Sequence, residues 1–453
     1  MRSPQKETDR LGLRSRITCP HCWQEFAAHE THWIAVHPDL SGDPIAGSDE
    51  QLRFLPTRFN VNGQAIDMNG VACSELACPH CHLVIPRALL EMKPLFFSIL
   101  GAPGSGKSYF LASMIWGLRN ILRRSFRLAF SDADPLANQL LNEYEEKLFL
   151  NPDSNELVAL PKTEKEGELY QGVSMDQRTV WLAKPFVFSL QPDTDHRLET
   201  KSSQLSRAVC LYDNAGEHFL PGGSNTNNHG TQHLSLSQAL FFLFDPTQHP
   251  RVRSRCSGKS ADPQMKDHAW THRQDQVLFE AASRIRTQAG IPQNAKYKRP
   301  LIVVVTKYDA WCSLIGCPPL NSAHLVYESE AGGFLLDTER ILKVSDKIRT
   351  VLSELTPEFI SAAESFAEDV TYIPVSALGT SPEIAPHGGF LAIRPSHIRP
   401  MWTEIPFLYG LHKAVPHLIP SASSTARRST PGVDQISETQ LPAGTRNPRE
   451  AGS

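Results

Sequence analysis

Long apolar runs are missing from this 453-residue chain. None approaches the roughly 20 consecutive apolar residues that span a bilayer, and the longest, around Leu95–Leu100 and Leu301–Val305, are the size of strands. The opening stretch Met1–Arg16 is charged and lacks the apolar segment of a secretory leader, so a cytoplasmic protein without a membrane span is expected. A strong charge of either sign is missing too. A formal net charge of −3 gives no global pull on a polyanion, which leaves nucleic acid a partner only through a local patch. No internal repeat is visible beyond one tetrapeptide.

That tetrapeptide uses four of the nine cysteines: Cys19-Pro-His-Cys22 and Cys78-Pro-His-Cys81, with 55 residues between them. In a reducing compartment paired C-x-x-C units bind metal rather than form disulfides. Four thiolates supply a closed tetrahedral site for structural Zn²⁺, which leaves no open position for catalysis. His21 and His80 sit inside the knuckles and are expected to point away from the ion. His29, His32 and His37 follow the first knuckle, but a Cys₂His₂ site would leave the second one unexplained. The other five cysteines (Cys73, Cys210, Cys256, Cys312, Cys317) read as ordinary thiols.

The chain divides by composition. Residues 1–15 are polar and expected to be disordered. Residues 16–94, rich in His and Pro and short of periodic apolar pattern, form a zinc-ribbon-like module that metal would stabilise. Residues 95–416 alternate strand-like runs with helical stretches, the pattern of an α/β domain whose mostly parallel sheet is flanked by helices. Strands are expected at Leu95–Leu100, Phe186–Leu190, Ala208–Tyr212, Ala239–Phe244, Leu301–Thr306 and Val370–Val375. Pro221–Gly230 and Arg251–Asp267 read as inserted mobile loops, and 417–453 as a disordered tail.

Chemistry enters after the first strand. Gly101-Ala-Pro-Gly104-Ser105-Gly106-Lys107-Ser108 fits G-x-x-x-x-G-K-[ST] between a strand and a helical pattern over Tyr109–Ile121. In that loop backbone N–H groups wrap a polyphosphate, the lysine reaches its outer phosphates and the serine hydroxyl meets Mg²⁺. Three further motifs follow in order. Ala208–Asp213 runs into D-x-x-G, where Asp213 orients Mg²⁺ and the Gly216 N–H meets a γ-phosphate. Leu301–Thr306 runs into T-K-x-D, where the Asp309 carboxylate can accept from the N1–H and the amino group of guanine while the Lys307 stem lies along the base; adenine offers no such donor pair. Tyr372–Val375 runs into Ser376-Ala377-Leu, whose backbone can meet the guanine O6.

These four motifs in this order resemble the small and translation-factor-like GTPases of the TRAFAC class, over roughly 320 residues. The resemblance implies GTP and Mg²⁺ as ligands: Gly101, Gly104, Ser105, Gly106, Lys107 and Ser108 for the phosphates and Mg²⁺, Asp213 and Gly216 for the second switch, Thr306, Lys307 and Asp309 for the base, Ser376 and Ala377 to close on it. The cysteine module ahead of this domain, "YDNAGE" and the final "RPSHIRPMWTEIPFLYGL" are similar to the bacterial double-GTPase family assigned to multi-protein conflict, or defence, systems. That family implies a protein partner, met through the zinc ribbon and the switch loops.

The sequence departs from the class in three places. Ser108 and Asp213 are 105 residues apart, so the first switch falls in the long stretch between Ser131 and Thr179. Thr163 is the expected threonine for Mg²⁺ and the γ-phosphate, with Thr179 as the alternative. Thr306 stands where asparagine is usual. Glu217 follows Gly216 where relatives place a glutamine or histidine that orients the attacking water; a carboxylate there could accept the water's proton or repel the γ-phosphate, leaving hydrolysis to His218 or a partner's arginine. The expected activity is GTP hydrolysis by a nucleotide-controlled switch. The alternatives are a GTP-binding scaffold that scarcely hydrolyses, and a P-loop ATPase.

Overall fold

A strand covered on both faces must be apolar along nearly its whole length, and Lys93–Gly101 (β1) is buried at every position after Lys93. It is the middle strand of a seven-stranded sheet. The others are Leu128–Asp132 (β2), Phe186–Pro192 (β3), Arg207–Asp213 (β4), Ala239–Phe244 (β5), Leu301–Val305 (β6) and Val370–Pro374 (β7), in the order β2-β3-β4-β1-β5-β6-β7. The five strands from β4 to β7 in that order run parallel, β3 pairs antiparallel with β4, and β2 pairs antiparallel with β3. Leu95 faces Val209 and Ile99 faces Asp213 on one side of β1; Gly101 faces Leu243 on the other.

The period of two along these strands feeds two apolar layers. Phe97, Ile99, Phe241, Leu243, Ile302 and Val304 point into one, Leu100, Leu240, Phe242, Phe244, Val303 and Val305 into the other. The first layer is covered by Lys107–Phe126 (α1), Gln139–Phe149 (α2) and, later in the chain, Ile405–Ala414 (α6), whose Phe407 lies 5.2 Å from Phe97, ring to ring. The second is covered by Gln274–Ala289 (α3), the C-terminal half of Thr338–Leu355 (α4) and Pro357–Phe366 (α5).

The computed structural model describes residues 12–421 except 162–168, 176, 195, 197–201, 215, 220–230, 266–272, 323–324, 329–332 and 387–388. No described helix is long and apolar enough to cross a membrane. Pro221–Gly230, expected as a mobile loop, and the tail from 422 lie outside the described residues. Packing runs on past 416, since Leu418 and Ile419 are buried and Leu336 donates its N–H to Pro420 O.

All six expected strands are present within two residues at each end. Three elements differ from expectation. Strand β2 was not anticipated, because Leu128–Asp132 is short and alternates buried with exposed positions only by virtue of its β3 neighbour. Arg251–Asp267 is not wholly loop: Pro250–Cys256 is helical, with Pro250 at its first turn and Val252 and Cys256 buried, and a helix this short carries too few apolar residues to show a period. Cys312 and Cys317, expected as thiols, are joined by a disulfide across a tight turn in which the Cys317 N–H bonds Cys312 O and Gly316 is left-handed.

Past β7, Gly379 has φ +71°, and a Cβ there would sit 1.8 Å from Arg399 O. Gly379→Ala should therefore lose more than the roughly 1–3 kcal/mol that left-handed strain alone costs a non-glycine residue, read as a lowered denaturation midpoint.

Candidate nucleotide and metal sites

The strand order reverses at β1, whose neighbours β4 and β5 lead away in opposite directions. Open α/β sheets bind ligands at such a switch point, beyond the carboxyl ends of the strands. A cleft of about 810 Å³ lies there. Its walls include Gly104, Ser105, Gly106, Lys107 and Ser108 from the loop between β1 and α1, and Gly216 after β4. Thr306, Lys307 and Asp309 follow β6, and Ser376 and Ala377 follow β7. The four motifs, spread over 277 residues from Gly101 to Ala377, thus meet in one space.

The loop's glycines are required locally. Gly104 and Gly106 have φ +73° and +87°, and a Cβ on Gly101 would lie 2.7 Å from Leu243 O and 2.9 Å from Ser105 Oγ. Gly106 caps α1, which Lys107 begins, so the partial positive charge of a 20-residue helix faces the cleft. Lys107 Nζ donates to Gly101 O and Ala102 O, each at 3.1 Å, and its side chain is buried. Ser105 Oγ, also buried, has no hydrogen-bond partner among the described residues. A polyphosphate would offer acceptors to both.

Gly101 and Asp213 stand behind the wall. Gly101 ends β1 beneath the lysine. Asp213 ends β4, buried, and Asn214 next to it donates to Ile99 O through Nδ2 at 2.9 Å. A Cβ on Gly216 would lie 2.6 Å from Pro103 N and 2.7 Å from Gly101 O: the D-x-x-G segment closes directly on the phosphate loop, an approach only glycine permits. Thr163 and the Glu217 side chain lie outside the described residues, so neither is located relative to the cleft.

At the far end Asp309 Oδ1 accepts from Ser376 Oγ at 2.5 Å, and burial pushes the Asp309 carboxyl above its ordinary range. Ser376 Oγ in turn accepts from the Gly379 N–H. Thr306 Oγ1 donates to Ser105 O at 3.1 Å and so ties the end of β6 to the loop between β1 and α1. Lys307, left-handed at φ 55°, donates to Gly104 O at 3.2 Å, to Asp245 Oδ2 at 2.5 Å and to Gln264 Oε1.

Asp245 and Gln248 were not anticipated from sequence. Asp245 is fully buried after β5 and also accepts from the Thr247 N–H and hydroxyl; Gln248 Nε2 donates to Pro103 O at 3.0 Å. The only signal was "FDPTQH" at the end of an apolar strand, which reads as a turn. Their role depends on β5 lying between β1 and β6.

The cysteines form a second centre. Cys19, Cys22, Cys78 and Cys81 are buried, with their sulfurs all within 4.8 Å of one another. Cys19–Cys81 and Cys22–Cys78 are each 3.7 Å apart, close to the edge of a tetrahedron with metal–sulfur bonds of about 2.3 Å. The knuckles match in detail: His21 N–H points at Cys19 Sγ and His80 N–H at Cys78 Sγ, while Trp23 and His82 take the same left-handed turn. His21 turns away from the sulfurs toward Val84 O (3.0 Å) and Ala183 O (3.2 Å). Four such thiols could hold a metal ion. The sulfur cluster also belongs to the first apolar layer.

No protein-family model and no curated protein matches the chain. Solved structures do. The Saccharomyces cerevisiae Ski7 GTPase-like domain bound to GTP aligns with 74% of this chain and 52% of its own, at 14% identity and TM-score 0.27. A single-substitution variant of Aquifex aeolicus Era bound to GDP·AlF₄⁻ aligns with 64% and 53%, at 13% and 0.23. Sup35 complexed with GDP aligns with 63% and 38%, at 14% and 0.22. The chain thus spans about half the length, or less, of these proteins, and at such scores nothing about function is carried across from them.

Metal analysis of the purified chain should find about one zinc per chain, as a single closed four-thiolate site requires. Cys78→Ser with Cys81→Ser should abolish it, and full retention would refute the site. Lys107→Ala should lower nucleotide affinity by at least roughly tenfold, the loss of a charge-assisted contact of about 1.5–3 kcal/mol, measured by titration with a fluorescent nucleotide.

Proposed function

We propose that this chain is a Mg²⁺-dependent GTP-binding protein that hydrolyses GTP to GDP and phosphate and works as a nucleotide-controlled switch. One observation carries the proposal: a single cleft is lined by a phosphate-binding loop at one end and by Asp309, Ser376 and Ala377 at the other. The half-buried Asp309 carboxylate keeps oxygen valences for the paired donors of guanine, which would offset its desolvation. Adenine presents no such pair, and this disfavours an ATPase.

Phosphoryl transfer asks a protein mainly for position and charge. Backbone N–H groups of Gly104–Ser108 and the Lys107 ammonium would hold the β- and γ-phosphate oxygens as water attacks phosphorus and the bond to the β-phosphate oxygen breaks. Ser108, Asp213 and Thr163 would hold Mg²⁺, which when bound neutralises phosphate charge. The Gly216 N–H, already against the loop, would meet the γ-phosphate. Glu217 would take or orient the water; a carboxylate in that place also favours a second reading, a GTP-binding scaffold with little hydrolysis.

Zinc in the four-thiol site would be structural. The exposed Leu55, Phe59 and Val61 of the cysteine module favour a protein partner over nucleic acid. The similarity to double-GTPases extends the proposal to a multi-protein defence system in the bacterial cytoplasm, and rests on sequence alone.

Asp309→Asn replaces one of two acceptors by a donor, which suits xanthine better than guanine. GTP affinity should fall by orders of magnitude, up to about 10⁴-fold for a site built to hydrogen-bond its ligand, while affinity for xanthosine triphosphate rises. Unchanged GTP binding in that variant, or equal binding of ATP and GTP by the parent chain, would sink the guanine assignment.

A further inference from the structure

The first cysteine knuckle does not hang off the nucleotide domain; it grips the strand that ends in Asp213. Tyr212, the residue before Asp213, donates its hydroxyl to Pro20 O inside the knuckle at 2.5 Å and accepts from Trp23 Nε1 at 3.4 Å. Burial holds that phenol protonated, well above its ordinary range. The Tyr212 ring stacks on His233 at 4.2 Å, and Trp23 lies 5.9 Å from the same imidazole. His233 opens the helical turn after the D-x-x-G segment, and Ser237 at its end ties the chain back onto β1 through Ser98 Oγ at 2.6 Å. So Pro20 and Trp23 hold both flanks of the segment that carries Asp213 and Gly216.

The same module reaches the long insertion between the first two motifs. Ser174 N–H donates to Ile45 O at 2.8 Å, and His21 meets Ala183 O; both partners lie on the hairpin Tyr170–Met175/Arg178–Ala183. The position of Pro20 is set by its neighbours Cys19 and Cys22. An ion bonded to all four sulfurs would add strong bonds to the hydrogen bonds that already shape the knuckle, and so would hold the Pro20 carbonyl and the Trp23 ring more firmly.

Resting on the function proposed above, we propose that Tyr212 is a positioning residue through which the first knuckle holds Asp213 and Gly216 against the phosphate loop, so that metal occupancy and a bound γ-phosphate stabilise one another. The arrangement with the knuckle engaged is also the one that presses Gly216 on Pro103 and Gly101. A ligand that favours this arrangement must, by linkage, be favoured by whatever else the arrangement favours. A nucleotide lacking the γ-phosphate has less to gain from it.

The test uses the full chain loaded with zinc, after titration with a fluorescent GTP analogue establishes binding. Zinc release to a chromogenic chelator is then timed with Mg²⁺ and a non-hydrolysable GTP analogue, and with Mg²⁺ and GDP. Release should be slower with the analogue by at least about fivefold, the lower end of typical coupling between sites. Tyr212→Phe keeps the ring on His233 but removes the hydroxyl; its zinc content should stay at the parent level while the difference shrinks below about twofold. Equal rates, faster release with the analogue, or a Phe variant with the full difference would overturn the proposal while leaving GTP binding intact. A zinc-loaded chain that binds no guanine nucleotide would overturn the function itself.

Discussion

Strand β1 is covered on both faces and paired on both edges, and its one buried polar side chain, Ser98, is already spent on Ser237. Its one opportunity is the carboxyl end, where the sheet order reverses and the chain must turn into α1. Everything polar in the cleft depends on that constraint. The loop can pass between β4 and β5 only because Gly101 has no side chain to meet Leu243 O, and the helix then starts with its N–H groups turned toward the space left open. Lys107, Thr306 and Lys307 all use carbonyls of this loop as anchors, so both ends of the cleft are set by one short stretch of backbone.

The cysteine module obeys a related constraint. The strands within residues 12–92 are only two to five residues long, too short to build an extensive core by themselves. The module settles this twice, by clustering four thiols that could hold a metal ion and by merging Ile17, Phe26 and Leu83 with the first apolar layer of the large sheet. Described residues on both sides fall in one compact unit. Composition marks out a zinc-ribbon-like module short of a core of its own; its first knuckle shares hydrogen bonds with the strand ending in Asp213.

What could be read in advance followed from local physics. Gly101–Ser108 announced itself because left-handed glycines, a lysine and a helix start are needed within one turn. The six strands were visible as apolar runs, and the CPHC pair as repeated ligand spacing. Thr306 in place of asparagine could be seen but not understood, since its hydroxyl works by reaching Ser105 O across 201 residues of chain. Strand β2 leaves no signal in the sequence, and helix Pro250–Cys256 and the Cys312–Cys317 bridge read as loop and free thiols, each being too short to leave a period or too dependent on a neighbour.

The sequence by itself therefore determined the groups on offer: a glycine-rich loop with a lysine, an aspartate after a buried strand, four paired cysteines, and the buried strands that must carry them. Only the tertiary structure decided who meets whom. Asp245 became the partner of Lys307, Gln248 that of Pro103, and Tyr212 that of Pro20, because strand order brings together residues that no local spacing relates. Motifs are written in consecutive residues, where backbone geometry fixes the distances; partnerships across a sheet depend on its order and register, which emerge only when every strand has found its neighbour.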